Sequence, residues 1–365
     1  MSPQIVSRWL EDPALHNNLF PMSLRPQAHE IIRTWAFYTI YKSLFHFNKL
    51  PWKDIAISGW GIAGKGMGKI SKSRGGGPMS PVKMIERYSA DAVRYWTAST
   101  GPGKDSIISE EKIQMGSKLV NKLWNVARFS GRFLAENHPS GRSDGNDCAA
   151  MEMLTPADRW ILSRLQHLIL RVTDLFENYD YAAAKSELEN FFWSEFADNY
   201  LEMCKQRLYD GSEEMRAAAL YSLYHLVETT IKLFAPFLPH VTEEIYQGLF
   251  ASSEGFHSIH NSPWPKANPD LLDKPAEHAG MTLVDIATSV RRYKSDHNLP
   301  LSTPIEKLHL VTTIPDLRSL LQASSGDLTS ITRAQSVKIV TRIDPSMEII
   351  NTDGEVHAAI STLEE

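Results

Sequence analysis

The spacing of apolar residues changes character once along this 365-residue chain, near residue 109, and that change limits the architectures open to it. Before it, helical and strand-like runs alternate. Residues 24–30 introduce an apolar helix over 31–47, Pro51-Trp52 breaks it, and the run Asp54-Ile55-Ala56-Ile57-Ser58 reads as a strand. Helix, strand and then a loop at the strand's carboxyl end is α/β logic, and open parallel sheets bind ligands beyond those ends. Segment 81–97 reads as two short helices punctuated by Ser89 and Asp91.

After 109 the period is helical. Residues 110–134 carry Ile113, Leu119, Val120, Leu123, Trp124, Ala127 and Phe129 near helical spacing. Further helices are expected over 156–178, 181–209, 213–235 and 239–250, with short breaks at Tyr179-Asp180, Asp210-Gly211-Ser212 and Pro236/Pro239. Thr155-Pro156-Ala157-Asp158 supplies a capping hydroxyl, a first-turn proline and an acid three residues on. Long helices joined by short turns make a bundle, with Trp193, Phe196, Tyr200 and the 234–246 run in its core. Residues 138–150 read as an exposed loop, and a Pro-rich stretch to Pro275 ends the bundle. A helix over 282–297, a strand over 305–311, a helix over 315–322 and one or two strands within 336–350 form a small α/β appendage. The expected fold is therefore α/β plus all-α, in domains 1–108, 109–278 and 279–365.

The chemistry is concentrated in one loop. Gly59-Trp60-Gly61-Ile62-Ala63-Gly64-Lys65-Gly66-Met67-Gly68 leads into Lys69-Ile70-Ser71-Lys72-Ser73, followed by Arg74-Gly75-Gly76-Gly77-Pro78. Two lysines three apart suit a triphosphate, and the glycines let backbone N–H groups approach it. The G-x-x-x-x-G-K-[ST] spacing of a Walker loop is missing. On composition alone such a loop reads equally as a solvated turn.

The net charge of −5 gives no global pull toward nucleic acid, so RNA contacts need local basic patches. Lys112, Lys118, Lys122, Arg128 and Arg132 on the first bundle helix, and Arg291 and Arg292 near the end, are the candidates; a basic helix face also reads as merely solvated. Cys148 and Cys204 are the only cysteines, and no histidines stand at ligand spacing beside them, so no metal site is expected. Few cysteines, no 18-residue apolar run and no signal peptide lead us to expect a soluble cytoplasmic protein.

The Lys69–Ser73 string resembles the KMSKS signature of class I aminoacyl-tRNA synthetases, with Ile70 in place of Met. Arg25-Pro-Gln-Ala-His-Glu-Ile-Ile-Arg-Thr-Trp35 resembles the family segment lining the aminoacyl-adenylate pocket. Ile85-Glu-Arg-Tyr-Ser-Ala-Asp-Ala-Val-Arg-Tyr-Trp96 is similar to the segment after KMSKS in the Val/Ile/Leu subgroup. Phe192–Tyr200 and 233–246 resemble that subgroup's anticodon-binding bundle. The triple glycine and Val290-Arg291-Arg292-Tyr293-Lys294-Ser295 look most like the archaeal-type valyl enzymes.

The resemblance implies a truncated Rossmann-like half, an anticodon-binding bundle and ATP-dependent ligation of valine to its tRNA, with Mg²⁺ accompanying ATP. It places Lys69 and Lys72 in catalysis, Ile70, Ser71 and Ser73 in shaping the loop, and Gln27, Glu30 and Gly59 at the nucleotide. If tRNA is the partner, the basic residues Lys118, Lys122, Arg128, Arg132, Arg291 and Arg292 are the expected contacts. The family's H-x-G-H motif is absent from the 13 histidines, and nothing resembles an editing insertion. The chain therefore reads as a C-terminal portion, expected to be inactive alone. It is a gene fragment, one half of a split enzyme needing an N-terminal half in trans, or a non-catalytic tRNA-binding paralogue; an isoleucyl- or leucyl-type fragment is a further alternative.

Overall fold

In the computed structural model, residues 13–64, 67–69, 81–135, 151–351 and 354–361 are described. The chain divides into two units, Met1–Ser117 with Leu175–Ala183, and Lys118–Asp174 with Ala184–Glu365.

The first unit is built on a β–α–β crossover. Strand β1 (Met22–Ala28) runs parallel to β2 (Trp52–Ser58), with Met22 opposite Trp52 and Ala28 opposite Ser58. The segment that introduces the expected helix is itself largely a strand, an assignment the sequence reading did not make. Pro26 suits it: it disfavours helical backbone at Arg25 and lacks an N–H for a helical bond. Helix begins only at His29, as a 3₁₀ turn (His29–Ile31), a π-helical turn (Ile32–Ala36) and an α-helix (Phe37–Phe47). Asn48 ends it in the left-handed region at φ 50°, with its N–H on the Leu44 carbonyl. Beyond β2, β3 (Gly61–Gly64) pairs antiparallel with β4 (Met67–Lys69) and parallel with β5 (Ser106–Ile107). Helices Pro81–Tyr88 and Ala90–Thr97 meet at Ser89, whose hydroxyl accepts from the Ala92 N–H. Met84, Ala92, Val93, Trp96 and Ile113 pack into a small core there. Tyr179 belongs to this unit, its hydroxyl donating to Asp54 Oδ2 at 3.2 Å.

The second unit is a helical bundle with a small sheet. The helix Glu110–Leu134 runs on into it, followed by Pro156–Glu177, a continuous run from Tyr181 to Asp210, Glu213–Phe234, Pro239–Leu249 and Lys274–Asp296. Ten residues of the long run, Phe191–Tyr200, are π-helical. The Thr155–Asp158 signal forms a reciprocal cap: the Asp158 N–H donates to Thr155 Oγ1, and the Thr155 N–H donates to Asp158 Oδ2 at 3.0 Å. Phe196, Tyr200, Phe234 and Tyr246 are core residues as expected. Trp193 instead lies half-buried at the edge, with the Lys122 ammonium 5.2 Å from its ring centre. The last long helix starts eight residues ahead of expectation, because Asp273 caps it through the Ala276 N–H (2.9 Å) and Pro275 sits in the first turn.

The terminal sheet has the order β7-β6-β9-β8. Here β6 is Ile305–Val311, β7 Ala334–Ile339, β8 Glu348–Asn351 and β9 His357–Ser361. Helices Pro315–Ala323 and Ser325–Thr332 cross from β6 to the parallel β7. Ser325–Thr332 was not legible beforehand: its serines, threonines and glycine are weak helix formers, and its Asp327 is fixed by a distant arginine.

Two features of this unit carry predictions. A methyl group on Gly280 would lie 2.0 Å from Cγ of Trp160, a fully buried ring. Gly280→Ala is therefore expected to cost about 1–3 kcal/mol by overpacking, read by urea denaturation; a loss below about 0.5 kcal/mol would show that Trp160 can move aside. His225 sits against the rings of Tyr221 and Tyr224 at 4.5 and 5.5 Å. Burial pulls its pKa from 6.5 down to about 4. The unfolded chain therefore takes up a proton over that interval that the folded chain refuses, so stability falls as pH drops from 6.5 toward 4. His225→Gln is expected to flatten the decline of Tm between pH 6.5 and 4.5; an unaltered slope rules His225 out as its source.

Candidate functional site

In the first unit the carboxyl ends of β1 and β2 lie side by side at Ala28 and Ser58. His29 follows β1 and Trp60 follows β2; their rings are 4.7 Å apart, and His29 Nδ1 is 3.3 Å from the Ser58 carbonyl. Gln27 is buried, and neither its amide nitrogen nor its amide oxygen has a hydrogen-bond partner among the described residues. An orphaned buried amide costs about 1–3 kcal/mol, so a water or a ligand group is expected to complete it. Glu30 is exposed on the adjoining turn. Gly59 must be glycine, since a Cβ there would come within 2.3 Å of the Lys104 carbonyl oxygen. The Trp60 N–H next to it donates to Asp105 Oδ1 at 2.7 Å. Together these contacts pin the start of the glycine-rich loop.

The β3–β4 hairpin then carries the chain to the signature string. Lys69 is the last residue of β4, with its Cα opposite Ile62. Ile70, Ser71, Lys72 and Ser73 lie outside the described residues. The structure therefore fixes where the loop leaves the sheet and where it returns, at the Pro81–Tyr88 helix.

The second unit holds a candidate nucleic-acid surface. A cleft of about 560 Å³ opens between the bundle and the terminal sheet, among Phe129, Lys205, Tyr209, Thr329, Arg333 and Gln335. Tyr209 is exposed and meets Phe133 edge-on at 5.1 Å, and the Lys205 ammonium stands 5.6 Å from the centre of the Phe129 ring. Aromatic faces beside cations stack and neutralise an unpaired nucleotide. The sequence places Phe129 on a helix but gives no sign that it meets Lys205, Tyr209 and Arg333 at one cleft. The one available signal was Phe129 between Arg128 and Arg132, both exposed.

The predicted basic residues divide. Lys118 is exposed on the first bundle helix, and Arg292 is exposed with a long contact to Asp296 (3.9 Å). Lys122 is paired with Asp198 at 2.9 Å. Arg291 donates to Asn199 Oδ1 (2.9 Å) and to the Asp198 carbonyl (2.7 Å), so its charge is committed to holding the π-helical stretch. Cys204 is buried, which pushes its thiol up and leaves it inert; Cys148 lies outside the described residues. Among the described residues no helix is long and apolar enough to cross a membrane, and no His/Cys/Asp/Glu group could hold a metal ion.

A glycine-rich segment thus follows a parallel β–α–β unit, and a helical bundle follows it along the chain. Residues 6–109 match the family described as tRNA synthetases class I (I, L, M and V). Residues 158–310 match the anticodon-binding domain of tRNA ligase. Two domain models of tRNA synthetases thus match in order along this chain. Its relatives include the valine–tRNA ligase of Orientia tsutsugamushi, 40% identical over 97% of this chain, and that of Rickettsia typhi, 41% identical over 94%. The chain spans 42% of the length of each. Among solved structures, an Agrobacterium radiobacter LeuRS in a ternary complex with tRNA and LeuAMS superposes on 70% of this chain with a TM-score of 0.51 at 19% identity, a likeness of fold.

Proposed function

We propose that this chain is the KMSKS-loop and anticodon-binding portion of a valine–tRNA ligase, acting within a complete catalytic domain. The observation that carries the reading is the 40% identity to a valine–tRNA ligase across 97% of the chain. The orphaned amide of Gln27 at the strand ends supports a bound nucleotide there. In the reaction a valine carboxylate oxygen attacks the α-phosphorus of ATP, the bond from that phosphorus to the β-phosphate bridging oxygen breaks, and valyl-adenylate and pyrophosphate form. The 3′-terminal ribose hydroxyl of tRNA then takes the acyl group and AMP leaves. Mg²⁺ enters with ATP, as the counter-ion of its phosphates. Lys69 and Lys72 meet the negative charge that grows on the departing pyrophosphate, with Ile70, Ser71 and Ser73 shaping the loop. Glu30 and Gln27 would line the bound nucleotide, and Gly59 lets the backbone come close. Domain bounds at 108 and 278 separate adenylation, anticodon reading and the α/β appendage. The compartment is the cytoplasm, where charged tRNA is consumed.

The missing phosphate-binding histidines must come from an N-terminal half, joined or in trans. The isolated chain is therefore expected to give no valine-dependent ATP–pyrophosphate exchange, and to give it once that half is supplied. Exchange by the chain alone would show that the half is dispensable.

A second reading, a stand-alone tRNA binder, is favoured by the aromatic and basic cleft at Phe129 and Tyr209. It predicts that the isolated chain binds tRNA with the valine anticodon in preference to others. Tyr209→Ala is expected to weaken that binding about ten-fold, as losing one stacked base does, and to leave the salt dependence unchanged. Replacing Arg128 and Arg132 by Gln should lower the salt slope instead. Equal affinity of the Tyr209→Ala protein, by fluorescence anisotropy, would remove the cleft from RNA binding.

A further inference from the structure

The run Val290-Arg291-Arg292-Tyr293-Lys294-Ser295 holds a lysine to which the cleft gives no direct task. Lys294 is 2% exposed, near the end of the Lys274–Asp296 helix. Among the described residues it pairs with no carboxylate. Its ammonium donates instead to the carbonyls of Leu301 and Thr332, each at 3.0 Å. Burial, with Arg333 and Arg291 nearby, pulls it from 10.5 down to about 8, so it is charged at neutral pH. Burying a charge with no acid beside it is costly, and the position asks for a reason beyond packing.

Both carbonyls belong to residues that lead into one wall of the cleft. Leu301 precedes Ser302, Thr332 precedes Arg333, and Ser302, Arg333 and Gln335 line the cleft on that side. Thr332 also ends the Ser325–Thr332 helix, where carbonyls without an intrahelical partner favour a cation. Arg333 is the outlier of this wall, in the left-handed region at φ 63° and ψ 25°. Helices often end on such a residue, but it is usually glycine, and a side chain there is strained. The Arg333 N–H donates to the Thr329 carbonyl, and its own carbonyl accepts from the Ile305 N–H, both at 3.0 Å. The backbone is held from both sides, while the side chain stays 53% exposed with only a long contact to Glu202, at 4.0 Å.

We propose that Lys294 is a positioning residue for RNA binding. By tying the turn at Leu301 to the end of the Ser325–Thr332 helix, it holds Arg333 in its left-handed backbone and aims the guanidinium at an RNA phosphate in the cleft. This rests on the reading of the cleft as a nucleotide site, to which it adds a cation and the buried group that aims it. Lys294 is buried and reaches no RNA itself.

The test measures binding of the whole chain to a fluorescent RNA hairpin carrying the valine anticodon, by anisotropy at several salt concentrations. Arg333→Gly suits the left-handed backbone, so Tm should hold or rise. Affinity is expected to fall about five-fold and the salt slope by about 0.7, the signature of one lost phosphate contact. Lys294→Met should reproduce both changes although Lys294 touches no phosphate; Lys294→Gln carries the same expectation and replaces it if the Met protein does not fold. The double variant should bind no worse than the weaker single one, since both act through one guanidinium. Parent affinity in Arg333→Gly, a folded Lys294 variant with the parent salt slope, or losses that add in the double variant would each overturn the proposal. Failure of the underlying reading looks different: Tyr209→Ala then binds as the parent does. Binding that depends on Tyr209 but ignores Arg333 keeps the cleft and sinks Lys294 as its positioning residue.

Discussion

Replacing Arg207 with alanine is expected to destabilise the second unit by about 3–5 kcal/mol at pH 7, the scale of breaking a buried ion pair from one side. Arg207 is 3% exposed. Its Nη1 and Nη2 donate to the two oxygens of Asp158 at 2.7 and 2.8 Å, and its Nε donates to Asp327 Oδ1 at 2.8 Å. The Tyr200 hydroxyl also donates to Asp158, at 2.6 Å. Burial pushes the Asp158 carboxyl upward, but the guanidinium and its hydrogen bonds hold it below the usual range. Burial prevails at Asp327, which rises to about 6. Alanine at 207 strands two buried carboxylates, and both then resist ionisation. A carboxyl raised in the folded state stabilises below its unfolded pKa and loses that contribution as pH climbs through the folded value. The defect of Arg207→Ala should therefore be largest near neutrality and shrink as pH falls toward 4. Urea denaturation at pH 7 and pH 5, followed by tryptophan fluorescence, measures both. A loss under about 1 kcal/mol at pH 7, or one that grows in acid, contradicts the account.

Lys72→Ala, in the assembled enzyme, should lower valine-dependent ATP–pyrophosphate exchange about 10²-fold or more, some 2.7 kcal/mol of transition-state stabilisation. The ammonium is asked to act on charge that appears only as pyrophosphate departs. The loss should therefore fall on kcat at least as heavily as on the KM for ATP. Lys72→Arg, which keeps the charge, should recover part of the rate. An exchange rate equal to that of the parent enzyme would remove Lys72 from this role. Folding offers no alternative explanation if Tm is unchanged, since the substitution lies in a glycine-rich loop.

The two substitutions probe different kinds of information in the chain. Wherever a signal was confined to a few neighbouring residues, the sequence by itself determined the outcome. The Thr155–Asp158 cap, the Ser89 break, the Glu110–Leu134 helix and the β6 strand over 305–311 all stood where local capping, turn chemistry and period put them. The KMSKS-like string could be read from sequence for the same reason, since its lysines and glycines are contiguous in the chain. Where competing local signals met, tertiary pairing chose. Residues 24–28 became β1 because Pro26 vetoed helix and β2 offered a parallel partner. Ser325–Thr332 became helical although its propensity is poor, because Asp327 is anchored by Arg207, 120 residues away.

The cleft proposed to take RNA shows the same division. Arg128 and Arg132 were visible as a basic helix face, but Phe129, Lys205, Tyr209 and Arg333 meet only through packing, and no spacing in the chain links them. Structure also withdrew charge that sequence had counted: Arg291 and Lys122 are spent on Asn199 and Asp198. A side chain's type fixes what it can bond, but only the fold decides which partner reaches it first.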